Sequence, residues 1–342
     1  MRYIGIAILA ASLLTGMSHT AHADIKVVAS IKPVHSLISG VMDGAGTPYL
    51  LMDGAGSPHS YALKPSQAAI LQQADIVFWV GKQFEAFLAH SIDSIATRAI
   101  SVPLIHTGDL NILPLRDSRT FDTHTHGGHG HDDHDDHDKE DHDKDSHEKD
   151  GHDGHGHGHD TDHDENEHAM HDQHIWLDPI NAQLLVHEIA DHLARIDSEH
   201  ADIYKANAAS MADRLDALVI EIDAELAAVT SRPYIVFHDA YQYFEHRFGV
   251  SAIGSITVSP EIMPGADRIR ALQQKIARLE AICLFSEPQF EPKLVATIAE
   301  NTDAKTAVLD PLGTSLDKGP ALYFTLIRNM AASLTACLAG HS

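Results

Sequence analysis

Basic side chains are scarce in this chain of 342 residues: 24 Lys and Arg stand against 49 Asp and Glu, a formal net charge of −25. A polyphosphate backbone is gripped by clustered Lys and Arg, so nucleic acid is excluded as a partner. Cysteine is scarcer still. Cys283 and Cys337 are the only two, and their spacing matches no compact thiolate zinc motif. No long apolar run follows the N-terminal segment, so no bilayer span is expected and the mature protein should be soluble. A metalloprotease motif is also missing. His187-Glu188 is followed by His192, one residue beyond the HExxH register, so the two rings cannot share one helix face as that chemistry requires.

What the chain does have starts at its N-terminus. Arg2 supplies a positive start, 4–14 is an apolar stretch too short to cross a bilayer, and Ala21-His22-Ala23 is a small-x-small cleavage site. This predicts a signal peptide over 1–23, cleavage after Ala23 and export, without separating periplasm from medium. No Cys stands just after the apolar stretch, which argues against a lipid anchor. In an oxidising compartment the two cysteines read as one Cys283–Cys337 disulfide, with free thiols as the alternative.

The negative charge is concentrated. Between 117 and 173 there are 20 Asp and Glu, 4 Lys and Arg and 15 His. Such a segment has almost nothing to bury and is expected to be disordered without metal. Around it, short apolar runs alternate with helical periodicity. Strands are predicted over 25–31, 76–80 and 99–104, with helices from 34, over 65–73 and over 84–95. After the tract come helices over 180–196 and 201–229, the second carrying a stripe of Leu215, Leu218, Ile222 and Leu226. The rhythm then repeats, with strands over 234–237, 250–256, 281–285 and 307–309 between helices over 240–247, 267–278, 293–300 and 321–338. The expected fold is α/β: two lobes, each a mostly parallel sheet flanked by helices, joined by a long rigid helix. The lobes are placed at 24–198 (with the tract 117–173 inside) and 231–342, the connecting helix at 199–230, and each lobe is expected to have its own core.

Histidines outside the tract carry the chemistry. His59 lies in the turn-rich run Gly56-Ser57-Pro58-His59-Ser60-Tyr61, and His174 opens the apolar segment after the tract. His238 follows the strand Tyr234-Ile235-Val236-Phe237, Glu287 follows 282–285, and Asp310 follows Ala307-Val308-Leu309. In open α/β sheets ligands bind beyond the carboxyl ends of strands, so a metal between the lobes could collect imidazoles from both. Neutral imidazole suits tetrahedral Zn2+. A histidine at a strand end is more often a capping or hydrogen-bonding residue, and spacing alone leaves the choice open. His35, near the end of the first strand, is a further candidate, for which a histidine near the cleft hydrogen-bonding the backbone is the preferred reading. His90, His106, His187, His192, His200 and His246 are read as solvated surface residues.

Six segments carry a resemblance: 56–67 (GSPHSYALKPSQ), 74–81 (ADIVFWVG), 174–179 (HIWLDP), 237–244 (FHDAYQYF), 286–290 (SEPQF) and 309–313 (LDPLG). On these the chain resembles the periplasmic zinc-binding receptors of ABC-type high-affinity zinc uptake, the ZnuA family. A His-rich insertion before the His-x-Trp-Leu motif and a cysteine pair at these positions are characteristic of the zinc branch. The resemblance implies a periplasmic, non-enzymatic receptor that binds Zn2+ as cargo. It implies metal ligation by His59, His174 and His238, with Asp310 or water fourth. Some zinc receptors have a Glu before the first ligand histidine; here that residue is Pro58, which favours Asp310. The implied partner is a zinc ABC transporter permease, with a periplasmic zinc chaperone as a second candidate and a monomer as the expected state. A metallo-hydrolase, a manganese or iron receptor and a transporter-free zinc buffer are the rival readings.

Overall fold

The computed structural model describes residues 25–116, 171–257, 260, 263–279, 282–300 and 302–339. The predicted signal peptide and the His/Asp-rich tract up to 170 lie outside the described residues.

Apolar continuity decides the strands. Val27–Ala29 (β1) and Ile76–Trp79 (β3) are buried at every position, the pattern of parallel strands covered on both faces. With Tyr49–Leu50 (β2) and Ile100–Pro103 (β4) they form an all-parallel sheet of order β2-β1-β3-β4. The helices Lys32–Val41 (α1), Pro65–Gln72 (α2) and Ala86–Ile95 (α3) connect them. Beyond Pro179–Ile196 (α4) and Ala201–Leu226 (α5), a second parallel sheet repeats the plan. Its strands are Tyr234–Val236 (β5), Ala252–Ser255 (β6), Cys283–Ser286 (β7) and Lys305–Val308 (β8), in the order β6-β5-β7-β8. The helices of this half are Gln242–Phe248 (α6), Ala266–Leu279 (α7), Lys293–Ala299 (α8) and Leu322–Leu338 (α9). The α/β reading of two helix-flanked parallel sheets therefore holds.

Two strand readings need correction. β2 was not predicted, and β8 starts at Lys305 instead of 307. Both are edge strands with exposed residues, so neither carries the apolar run by which a buried strand is read. The tract boundary also shifts. His171 pairs antiparallel with Pro114, and Asp172, Gln173 and His174 are buried, so ordered structure resumes before residue 173.

Period-2 alternation sorts the strand residues between two environments. Val27, Ala29, Ile76 and Phe78 of the first sheet enter the same apolar cluster as Tyr234, Val236, Cys283 and Phe285 of the second. Their neighbours turn outward instead: Val28, Val77 and Trp79 pack with Leu71, Leu88 and Ile92 of α2 and α3. Ile235 and Leu284 pack with Leu272, Ile276 and Ile298 of α7 and α8. The expectation of one core per lobe is thus corrected, since a principal core spans both sheets and each sheet adds a satellite on its outer face.

Helix α5 runs through this shared core. Tyr204, Ala208, Met211, Leu215, Leu218, Ile222 and Leu226 recur at helical spacing and are buried, and the helix packs on α1, α4, α6 and α9. Polar contacts also bridge the halves. Trp176 Nε1 donates to Pro311 O at 2.9 Å, Tyr323 Oη to Trp176 O at 2.7 Å, and Lys32 Nζ to the carbonyls of Thr314 and Leu316 at 2.8 and 2.9 Å. Asp178 caps α4 by accepting from Ile180 N at 2.9 Å, and Arg247 grips the same carboxylate at 2.7 and 2.8 Å.

Cys283 on β7 and Cys337 on α9 are joined by a disulfide that spans 54 residues. Loop-closure entropy for such a length is worth about 4 kcal/mol. Urea denaturation of the Cys283→Ala/Cys337→Ala double variant should therefore show a loss of about 2–4 kcal/mol. Reductant should bring the wild-type protein toward the variant and leave the variant unmoved.

Candidate metal centre

Each histidine reaches the cleft by a different local device. His59 is carried by the turn after β2. Gly56 is needed there, because a Cβ would meet the Tyr61 ring at 2.9 Å. Gln67 on α2 donates to Tyr61 Oη at 2.8 Å and to the carbonyl of Leu51, which ties the turn to its strand. His174 starts the short 3-10 turn Ile175–Leu177, whose side chains are fully buried. His238 stands two residues past β5, and Glu287 directly follows β7. In both sheets the strand order reverses between the first and third strands, the point where open α/β sheets take ligands. His238 and Glu287 flank that point in the second sheet. In the first sheet Glu85 closes it, with Oε2 accepting from Val80 N at 2.8 Å and Gly81 N at 3.1 Å. Burial pushes the Glu85 carboxyl up to about 7.

The three imidazoles converge. Among the described residues, His59, His174 and His238 form the group able to hold a metal, with ligand atoms all within 4.8 Å of one another. Phe84 stands edge-on to His59 at 4.8 Å and to His174 at 5.3 Å between ring centroids. Trp176, Phe290 and Leu312 complete an apolar wall.

Hydrogen bonding fixes which nitrogens face inward. His174 Nδ1 lies 2.7 Å from Asp172 Oδ1, which also accepts from the His174 backbone N–H at 2.9 Å. His238 Nδ1 lies 2.7 Å from Glu287 Oε1. Each Nδ1 is taken up by its carboxylate, so each Nε2 is the nitrogen left to face the cleft, and in the neutral ring that nitrogen carries the lone pair. Those two Nε2 atoms are 3.4 Å apart. That gap admits a proton shared between the rings or, once both are neutral, a cation bound by both lone pairs. A tetrahedral Zn2+ with bonds of about 2.0–2.1 Å sets its ligand nitrogens about 3.3–3.4 Å apart.

Electrostatics differ among the rings. Burial, reinforced by the neighbouring charges of His174 and His238, drives the His59 imidazole down to about 3. Burial also lowers His238, but the Glu287 carboxylate outweighs it and holds that ring above the ordinary imidazole value.

Asp310 is not brought into the group. Its Oδ1 accepts from the backbone N–H of Leu312 and Gly313, both at 3.1 Å, and from Gln289 Nε2 at 3.0 Å. Its Oδ2 accepts from Thr314 N at 2.5 Å. The aspartate organises its own loop, and the expectation of a fourth ligand there is not met by this geometry. His35 is buried and bonded to Pro48 O at 3.2 Å and Ser39 Oγ at 3.3 Å, as read from sequence. His90, His106, His187 and His246 are exposed. His192 and His200 are half-buried on Glu188 and Asp197. Asp172 escaped sequence reasoning because it sits among the other acidic residues of the tract. Its only signal is its place two residues before His174.

Comparison with known proteins follows the same direction. The family described as "Zinc-uptake complex component A periplasmic" matches residues 27–337. The "High-affinity zinc uptake system protein ZnuA" of Brucella abortus (strain 2308) is 48% identical over 340 residues, covering 99% of both chains. A crystal structure of ZnuA matches with a TM-score of 0.71 at 21% identity, covering 92% of this chain and 100% of that one. The SBP FpvC of Pseudomonas aeruginosa, in complex with Mn2+, also gives 0.71, at 16% identity over 94% and 100%. The fold alone therefore does not choose the metal. With the family match spanning nearly the whole chain and a full-length relative at 48% identity, the chain belongs to the zinc-uptake complex component A periplasmic (ZnuA) family.

Proposed function

We propose that the chain captures one Zn2+ on His59, His174 and His238, with water in the fourth position, and delivers it to a zinc ABC transporter permease. Membership of the family makes it a periplasmic zinc-binding receptor of an uptake system and not an enzyme. The observation that carries the ligand assignment is the pair of inward Nε2 atoms of His174 and His238 at tetrahedral spacing, with His59 beside them. Three neutral nitrogens suit zinc better than manganese, which prefers oxygen ligands. Among the described residues no helix is long and apolar enough to cross a membrane. Cleavage after Ala23, a monomeric state and hand-off with a periplasmic zinc chaperone belong to the same proposal.

The lobes are proposed at 24–198 and 231–342, with the 199–230 segment as a rigid spacer. The shared core and the bridging hydrogen bonds support small relative movements over a wide hinge. The tract is proposed as an accessory collector. Its imidazoles would bind zinc weakly, because a chain of that composition must offset its ordering entropy, and would raise the local concentration near the cleft.

Chelator-competition titration tests this reading. Deletion of 117–170, which leaves Asp172 in place, should remove weak sites and keep one tight site. His59→Ala should weaken the tight site by at least about 100-fold, or about 2.8 kcal/mol. Loss of all tight binding with the tract, or preference for Mn2+ at matched concentration, would refute the assignment. Acidity provides a second check. The His238 ring, raised by Glu287, must give up its proton to bind, so affinity should fall as pH drops through its titration above the ordinary imidazole range. His59 adds no further loss until about pH 3. Proton release measured by calorimetry in buffers of different ionisation enthalpy reads this directly.

A further inference from the structure

We infer that Asp172 and Glu287 act as a positioning pair, setting the direction of the two imidazoles and matching the cleft to a doubly charged cation. The inference rests on the zinc reading of the same histidines.

The two carboxylates do the same work from opposite halves. Each puts one oxygen on a histidine Nδ1 at 2.7 Å, and the same oxygen takes that histidine's backbone N–H, at 2.9 Å for His174 and 3.4 Å for His238. A ring held at Nδ1 and at its own backbone cannot flip, so Nε2 is committed to the cleft. Both carboxylates are nearly fully buried, at 2% and 3% exposure.

Their charge balance differs from that of the buried acids nearby that face an arginine. Asp178 is paired with Arg247, and Asp239 and Glu245 with Arg116. Asp172 and Glu287 pair with imidazoles. Among the described residues Asp172 Oδ2 has no hydrogen-bond partner, and Glu287 has beside it, apart from His238, the neutral Tyr241 hydroxyl, which donates to Leu309 O. Buried anions left in this condition are costly, and a nearby cation relieves the cost. Two such charges, relayed through two imidazoles, neutralise one dication. Among the described residues His59 has no such carboxylate partner, and it contributes a neutral nitrogen.

The scaffold behind each carboxylate is firm. Asp172 N donates to Leu113 O at 2.9 Å beside the Pro114–His171 bridge. Tyr243 Oη accepts from Leu113 N at 3.1 Å and donates to Asp172 O at 2.7 Å. Both stems of the tract are thereby anchored on α6, and one of them carries a support of the metal centre. Glu287 is held by its place at the end of β7, with Phe290 N donating to its carbonyl at 3.1 Å.

The test uses the full-length protein with Asp172→Asn, Glu287→Gln, their combination and the two alanine variants. Zinc affinity is measured by chelator competition, Co2+ coordination by visible absorption, and folding by thermal melting. Each amide isostere should weaken zinc about 10–100-fold, the usual cost of losing such a support. The tetrahedral Co2+ bands should persist in the isosteres, because an amide oxygen still accepts the Nδ1–H, and should shift in the alanine variants, where the ring is released. A fall in affinity with unchanged bands and unchanged melting assigns the loss to charge, which a purely structural role would not produce. Because the residues lie in opposite halves, a folding failure in one variant leaves the other as the test. Wild-type zinc affinity in both isosteres overturns the inference. A wild-type protein that takes up no zinc, or one whose tight site survives His174→Ala and His238→Ala, overturns the underlying reading instead.

Discussion

Two imidazole Nε2 atoms facing each other across 3.4 Å are the arrangement on which the candidate site depends. Neutral rings left to themselves would turn one nitrogen away or place a proton between them. Here neither ring is free, because each Nδ1–H is committed to a buried carboxylate, and each carboxylate belongs to a different half of the molecule. The cleft keeps its shape only while both halves keep their register.

That register comes from the shared core. Alternate residues of β1, β3, β5 and β7 point into one apolar cluster, and α5 and α9 close it. Moving one sheet relative to the other would open this cluster to water, at about 25 cal/mol for each Å2 of apolar surface exposed. Trp176 shows how closely site and core are joined. Its ring lines the cleft, its Nε1–H reaches Pro311 O, and its carbonyl takes the Tyr323 hydroxyl. Of the three clustered histidines, His59, on a turn and half-buried, is the one least tied to the core.

Much of this was legible in the residues. Buried strands announce themselves by unbroken apolar runs, and β3, β5 and β7 were placed within a residue or two. Edge strands do not: β2 is two residues long, and β8 begins with Lys305 and Thr306. The three histidines could be nominated from strand ends and turns, but only resemblance raised them above the many histidines that cap or bond backbone. The conspicuous tract drew attention from Asp172, which composition assigns to the tract and hydrogen bonding assigns to the site. The shared core was invisible because alternation tells which residues face inward without telling what they meet.

Asp310 shows why the strand-end rule needs topology. His238, Glu287 and Asp310 all sit just past a strand, and sequence cannot rank them. In the order β6-β5-β7-β8, however, His238 and Glu287 follow the two strands that flank the reversal, whereas Asp310 follows β8 at the edge. The Asp310 carboxylate is taken up by the backbone N–H groups of its own loop, although its neighbours Pro311 and Leu312 line the cleft. An edge strand can still supply a ligand if its loop is long enough to return over the sheet. β2 meets that condition, since it ends at Leu50 and His59 comes back across the cleft on the turn that Gly56 permits. Distance along the chain from an edge strand, and proximity to the reversal for a central one, separate the residues gathered in the histidine cluster from Asp310, which turns to its own loop.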